Sequence, residues 1–285
     1  LPRFIATPRV AKHRFFVFLD ASVLPDSRLN VMARADDTTF GLLGSRMHEV
    51  WSLAQASVHG DGSEGGRPTY NAKSCFETFP FPEGLTPADT AHQRTEAVEG
   101  GALIPAGLVG DLLPEMPTTA KALRKPKAAS AKAGQTSAAE PVMTVRAHAE
   151  HIARAAQRLN ALRENWLNPP EWTQRVPEVI PLGMDASPYP ERILPKNGHE
   201  KDLAARTLTR LYNQRPPWLD AAHQALDSAV AGAYGWADYT PGMLDEEILQ
   251  RLLALNLARA GTQKDSAIKP CPAPSPGLAS GAVQG

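Results

Sequence analysis

Residues 167–172 read LNPPEW, an asparagine followed by two prolines. That order of residues can hold an exocyclic amine for methyl transfer: the Asn side chain and a proline-fixed carbonyl accept the amine hydrogens, and an aromatic residue next in line stacks on the extruded base. Here the next residue is Glu171, whose carboxylate offers no stacking face, and Trp172 comes one position later, on the other side of an extended chain. Pro-Pro is also an ordinary way to stop a helix. The local chemistry therefore favours a helix stop over a catalytic loop.

Other arrangements that carry chemistry are missing from the sequence. The histidines are scattered without HExxH or comparable ligand spacing, and His148 and His151 stand among alanines on a helical stretch, as surface residues do. There is no GxSxG elbow, and the glycines before Arg67 lack the GK[ST] ending of a phosphate loop. Those glycines, at 60, 62, 65 and 66, follow a helix-like run and precede a strand-like one. A dinucleotide or S-adenosylmethionine site needs them between strand and helix, so no cofactor site is expected in this chain. Cys75 and Cys271 are far apart, which indicates neither a disulfide framework nor a zinc site and fits a reducing cytoplasm.

What remains is a set of residues suited to nucleic acid. Lysine plus arginine number 30 and aspartate plus glutamate 30, so no long-range field of either sign exists and affinity for DNA must come from a local patch. Residues 1–14 carry Arg3, Arg9, Lys12 and Arg14 with no acid. Arg9, Lys12, His13 and Arg14 are candidates to hold phosphates, although His13 suits a purely structural turn equally well. Arg46, Arg67, Tyr70, Asn71 and Lys73 are candidates for groove contacts, because Arg and Asn side chains reach base edges.

The elements that would position them belong to an α+β chain. RFIATPRV and HRFFVFLD are short aromatic and β-branched runs, expected to form a hairpin with a basic turn. LNVMARADDTTF reads as a further strand ending at Asp36 and Asp37, which can cap the helix that follows. That helix carries Phe40, Leu43, Met47, Val50, Trp51 and Ala54 on one face, for packing on the sheet. Its successor, the glycine-rich segment from residue 59, reads as a flexible loop in preference to one ordered by a partner. The 26 prolines are unevenly placed, which favours two domains with soft connections.

Four regions result. Residues 1–85 form a mixed strand-and-helix unit; 86–144, rich in Ala, Pro, Gly, Ser and Lys, form a solvated linker or insertion; 145–261 form a helical bundle; and 262–285 are a disordered tail. Within the bundle the periodicity predicts helices from 145 to LNPP, at 200–213, at 217–234 and at 240–260, with Thr240 as a cap. The stripe formed by Leu244, Ile248, Leu249, Leu252, Leu253 and Leu255 suits an intramolecular core better than an interface. No apolar run approaches the roughly 20 residues of a membrane span, so no membrane partner is expected. The chain opens at Leu1 directly on a basic, aromatic strand, as expected of a sequence whose beginning lies upstream.

Three blocks, RFIATPRVAKHRFFVFLD, DDTTFGLLGSRMHEVWSL and PTYNAKSCFETFPFPEG, resemble the target-recognition region of the MmeI-like DNA methyltransferases, many of which are fused type IIL restriction-modification enzymes. Further along, LNALRENWLNPPEW, LTRLYNQRPPWLDAAHQALDSAVAGAYGW and LDEEILQRLLALNLAR resemble that family's C-terminal helical domain. The resemblance implies DNA target recognition for an S-adenosylmethionine-dependent, adenine-N6-directed methyltransferase acting on double-stranded DNA. It also implies a catalytic domain ahead of Leu1, which would bind the cofactor and carry the family's own NPP[FY] loop. This chain alone is then expected to be inactive, and LNPPEW becomes a helix stop with Trp166 and Trp172 packing nearby. The alternative is a noncatalytic DNA-binding or helical scaffold protein.

Overall fold

A computed structural model describes residues 1–60, 66–108 and 143–267, with side chains through Gly261. The fold is α+β. Strands β1 (Arg3–Pro8), β2 (Val17–Asp20) and β3 (Leu29–Met32) form an antiparallel sheet in the order β2-β1-β3. The expected hairpin pairs Arg3 with Asp20 and Ala6 with Val17, and β3 covers the other edge of β1, pairing Ile5 with Met32.

Asp36 caps helix α1 (Asp37–Gly44), its carboxylate accepting the Thr39 N–H at 2.6 Å. The sequence reads as one long helix here, but the structure breaks it at Ser45. The Ser45 hydroxyl donates to the Leu42 carbonyl and accepts the His48 N–H, so one serine closes α1 and opens α2 (Arg46–Gln55). The predicted apolar face is buried apart from Ala54, and Phe18 of the sheet stacks on Phe40 of α1 at 4.4 Å.

Strands β4 (Ser57–His59) and β5 (Arg67–Thr69) make a short hairpin, followed by a π-helical turn, Ala72–Phe76. The segment expected to be linker begins with ordered structure: β6 (Thr95–Ala97) and β7 (Leu103–Pro105) pair, Ala102 and Ile104 are buried, and the Leu103 N–H donates to Asp37 at 2.8 Å. Residues 109–142 of that segment lie outside the described residues, and its last residue, Thr144, caps the helix that follows.

Helix α3 (Val145–Leu167) starts at the Thr144 cap and buries Ala149, Ile152, Ala153, Ala156 and Leu159. Small residues let it approach α1 closely. A Cβ on Gly41 would lie 2.6 Å from Ile152 Cγ2 and 3.1 Å from Leu226 Cδ1, and the Thr38 hydroxyl donates to the Ala149 carbonyl. The proline-punctuated crossing contains a hairpin of β8 (Thr173–Val176) and β9 (Arg192–Pro195). The run at 200–213 divides into α4 (Glu200–Ala204) and α5 (Leu208–Gln214) because Thr207 caps α5, accepting the Arg210 N–H.

Helix α6 (Pro217–Ala233) begins on a proline as expected, whereas α7 (Asp245–Ala267) starts later than Thr240. The Pro241 and Met243 carbonyls, which a helix starting at Thr240 would point along its own axis, turn instead toward the Arg46 guanidinium. The helix extends to Ala267, into the stretch expected to be tail, and 268–285 lie outside the described residues. Where the sequence reads as two separately cored regions, packing joins them: buried Phe40, Met47 and Trp51 belong to the same apolar cluster as Ile152, Leu211, Leu226 and Ile248.

Candidate nucleic-acid interface

The candidate residues are brought together by three backbone stitches at one edge of the sheet. Beyond the end of β1, the Arg9 N–H donates to the Arg28 carbonyl at 2.8 Å. The Arg9 carbonyl accepts the Tyr70 N–H at 2.6 Å, and Val10 bridges Thr69 of β5. The basic turn, the start of β3 and the glycine-bounded hairpin, distant in sequence, thus meet along a single edge.

At that edge Arg9, Lys12, Arg67, Asn71 and Lys73 are exposed, and His13 is half-buried. No side-chain hydrogen bond or ion pair engages Arg9, Arg67 or the Lys73 ammonium among the described residues, so these charges face solvent. Arg28 lies beside Arg9 and is also exposed, 3.4 Å from the Asp26 carboxylate. It was not legible in advance, because only the β1–β3 pairing puts it there. Asn71 accepts the Lys73 N–H at 3.0 Å, fixing the start of the π-helical turn.

Two glycines shape the hairpin that carries Arg67. Gly60 has φ of 121°, a conformation that side chains rarely adopt, and a Cβ on Gly66 would lie 2.1 Å from Val58 Cγ1. Residues 61–65, with the other glycines of the loop, lie outside the described residues. The described flanks run from strand to strand, not from strand to helix.

Three other candidates turn inward, and the structure gives each an internal task in place of an outward one. Arg14 is 8% exposed, with its guanidinium bonded to the Thr7 hydroxyl and the Pro8 and Pro68 carbonyls and stacked 5.0 Å from the Tyr70 ring. Burial pulls its pKa down, although carbonyl oxygens and an aromatic face are good partners for a buried guanidinium. Tyr70 is 1% exposed and its hydroxyl meets His48 Nε2 at 2.9 Å. Burial raises the Tyr70 pKa and, with Arg14 nearby, lowers that of His48 to about 3, so both stay neutral. Arg46 is a clamp: its guanidinium binds Asp245 at 2.6 Å and 2.9 Å, Met243 O at 2.6 Å and Pro241 O at 3.0 Å, locking α2 to the start of α7. Sequence pattern alone does not separate inward cations from outward ones: Arg14 stands in the same basic run as the exposed Arg9 and Lys12.

The LNPPEW stretch ends α3. Asn168 is the C-cap residue, its N–H bonded to Glu164 O and its side-chain amide to the Glu164 carboxylate. The Pro169 carbonyl accepts from Trp172 N, Thr173 N and the Thr173 hydroxyl, and is occupied within the fold. Trp172 stacks on His199 at 5.3 Å, and the Arg206 guanidinium lies 4.1 Å over Trp172 and 5.2 Å from Trp166. Among the described residues no group of three His, Cys, Asp or Glu side chains could hold a metal ion, and no helix is long and apolar enough to cross a membrane.

No family model matches the chain, and no curated protein matches it. A solved structure of the type IIL restriction-modification enzyme MmeI in complex with DNA is similar, with a TM-score of 0.47 and 17% sequence identity. The match covers 91% of this chain and 21% of that one, so this chain spans about a fifth of that enzyme's length.

Proposed function

We propose that this chain is the DNA-reading part of a site-specific, S-adenosylmethionine-dependent DNA methyltransferase directed at adenine N6, in some parents coupled to restriction, with methyl transfer carried out by a domain preceding Leu1. The observation that carries this reading is the stitched edge: Arg9, Arg28, Lys12, Arg67 and Lys73 converge from separate segments with exposed cationic groups on a chain of zero formal net charge. Two of the sequence blocks that resemble the target-recognition region, residues 3–20 and 68–84, supply Arg9, Val10, Thr69 and Tyr70 to that edge. Phosphate contacts from Arg9, Lys12 and Arg28 would fix the register of the duplex, while Arg67, Asn71 and Lys73 on the adjoining hairpin and turn would reach base edges.

The test uses the full-length parent. Lys12→Ala should weaken binding to all sequences alike and shrink the slope of log affinity against log salt by about 0.9. Arg67→Ala should change base preference at one position, by about 1–3 kcal/mol of discrimination, with less effect on salt dependence. An unchanged recognition sequence after Arg67→Ala would remove that residue from the readout set, and an unchanged salt slope after Lys12→Ala would remove the phosphate contact.

A noncatalytic DNA-binding or scaffold protein is the second reading, favoured by one observation. Ile248 and Leu252 of α7 are buried, but Leu253 and Leu257 of the same helix, and Leu244 just before it, are exposed. Concentration-dependent self-association in sedimentation experiments would favour this reading; a monomer at all concentrations would count against it.

A further inference from the structure

We infer that the phosphate-contacting surface continues from the sheet edge along α5 into the cleft beside it, where Arg206 and Arg210 bind the phosphodiester backbone of the same duplex. This rests on the DNA-reading function proposed above. Lys12 Nζ and His13 Nε2 each meet Asn213 Oδ1 at 2.8 Å, which holds the basic turn against the last residues of α5. Arg210 precedes Asn213 by three residues, on the neighbouring turn of the same helix face. It is exposed, and its guanidinium makes only a long 3.4 Å contact with the Ala205 carbonyl.

Next to it is a cleft of about 350 Å³ lined by Trp166, Trp172, Asp202, Arg206, Arg210 and Gln214. Arg206 is pre-positioned there. Its guanidinium lies between the two indoles and donates to the Trp166 carbonyl, so its orientation is set before any ligand arrives. Several arginines of the helical half are matched with acids, Arg154 with Glu150, Arg215 with Asp220, and Arg251 with Asp238 and Glu247, while Arg163 and Arg259 bond the Phe16 and Phe81 carbonyls. Among the described residues Arg206 and Arg210 form no such pair, and Asp202 is the one acid lining their cleft.

The chemistry selects an anion over a base. Trp172 already has His199 on one side and a guanidinium within 4.1 Å of its ring, which leaves it poorly placed to stack on a nucleobase. Guanidinium forks instead match phosphate oxygens. The seven residues of α5 span about 10 Å, roughly three nucleotide steps along one strand, so one backbone can pass from Lys12 to Arg206.

The experiment measures fluorescence anisotropy of a labelled DNA duplex with the chain over about 50–200 mM salt. It compares the parent with Arg210→Gln, Arg210→Lys and Arg9→Gln, with thermal midpoints recorded for each. Arg210→Gln should lower the salt slope by about 0.9, as Arg9→Gln does, while Arg210→Lys keeps it. A parental slope and affinity in Arg210→Gln, alongside a weakened Arg9→Gln, would overturn the extension onto α5 and leave the edge reading intact. So would a loss of affinity in Arg210→Gln with an unchanged slope. Failure of the parent to bind the duplex at any salt would overturn both.

Discussion

Asp227 should make the protein less stable at neutral and alkaline pH than its asparagine variant, and no more than equal to it in acid. The residue is 6% exposed on α6, and its carboxylate accepts the Arg46 N–H at 2.7 Å at the first turn of α2. Burial raises its pKa from 3.8 to about 7, against the lowering effect of the Arg46 N–H and with a further upward contribution from Glu49; the Arg46 and Arg215 guanidiniums pull it back down. A carboxyl with a raised pKa binds more protons folded than unfolded, so its contribution to stability is fully present below about pH 4 and is lost as pH rises to about 7. The full shift corresponds to roughly 4 kcal/mol, an upper bound because water and nearby side chains can relax around the ionised form.

Asp227→Asn keeps an oxygen to accept the Arg46 N–H but cannot ionise. Urea unfolding should therefore give parent and variant within about 1 kcal/mol near pH 4, with the variant ahead by about 2–4 kcal/mol near pH 8. Comparison at each pH cancels the other titrating groups, among them His48 and His223, which burial holds at about 3 and whose stabilising effect runs the opposite way, being lost progressively as pH falls from 6.5 to about 3. A variant less stable than the parent by the same amount at both pH values would refute the reasoning, because Asp227 would then be an ionised helix cap of ordinary pKa.

Gly41→Ala should cost about 1–2 kcal/mol despite the better helix propensity of alanine, because the added methyl meets Ile152 and Leu226; a rise in the thermal midpoint would sink this account. Arg163→Ala should cost about 3–5 kcal/mol in urea unfolding, since the guanidinium is buried on α3 and bonds the Phe16 carbonyl at 2.6 Å, which would be left without it. A loss below about 1 kcal/mol would mean that water replaces it. Asn168→Ala should cost less than about 1 kcal/mol and leave methyl transfer by a full-length parent intact, because the side chain bonds only Glu164; abolished transfer in a stable protein would make LNPPEW catalytic after all.

Period and turn chemistry made much of this fold legible. The short aromatic and β-branched runs RFIATPRV and HRFFVFLD specify the hairpin, Asp36 announces its helix, and Pro217 marks the start of α6. The boundaries that differ depend on distant groups. Thr240 does not open α7 because Arg46, far away in sequence, draws in the Pro241 and Met243 carbonyls. The β6–β7 hairpin hides in a composition typical of linkers, and its order comes from Asp37 and the apolar contacts of Ile104. At the candidate interface the residue types were legible but their directions were not. Arg9 and Arg14 belong to one basic run, yet one faces solvent and the other is enclosed by Thr7, Pro8, Pro68 and Tyr70.

The close crossing of α1 and α3 bears on where such a protein can be cut and recombined. A break in the chain between residues 108 and 143 separates two polypeptides whose apolar faces were shaped against each other, Phe40 and Gly41 on one, Ile152 and Ala156 on the other. Such halves suit reassembly when co-expressed and suit poorly the exchange of one half for that of a different parent. On the proposed DNA-reading function, a change of specificity calls for smaller grafts, confined to the solvent-facing positions at 9, 67, 71 and 73 and leaving the Arg14–Tyr70–His48 chain of contacts beneath them unchanged.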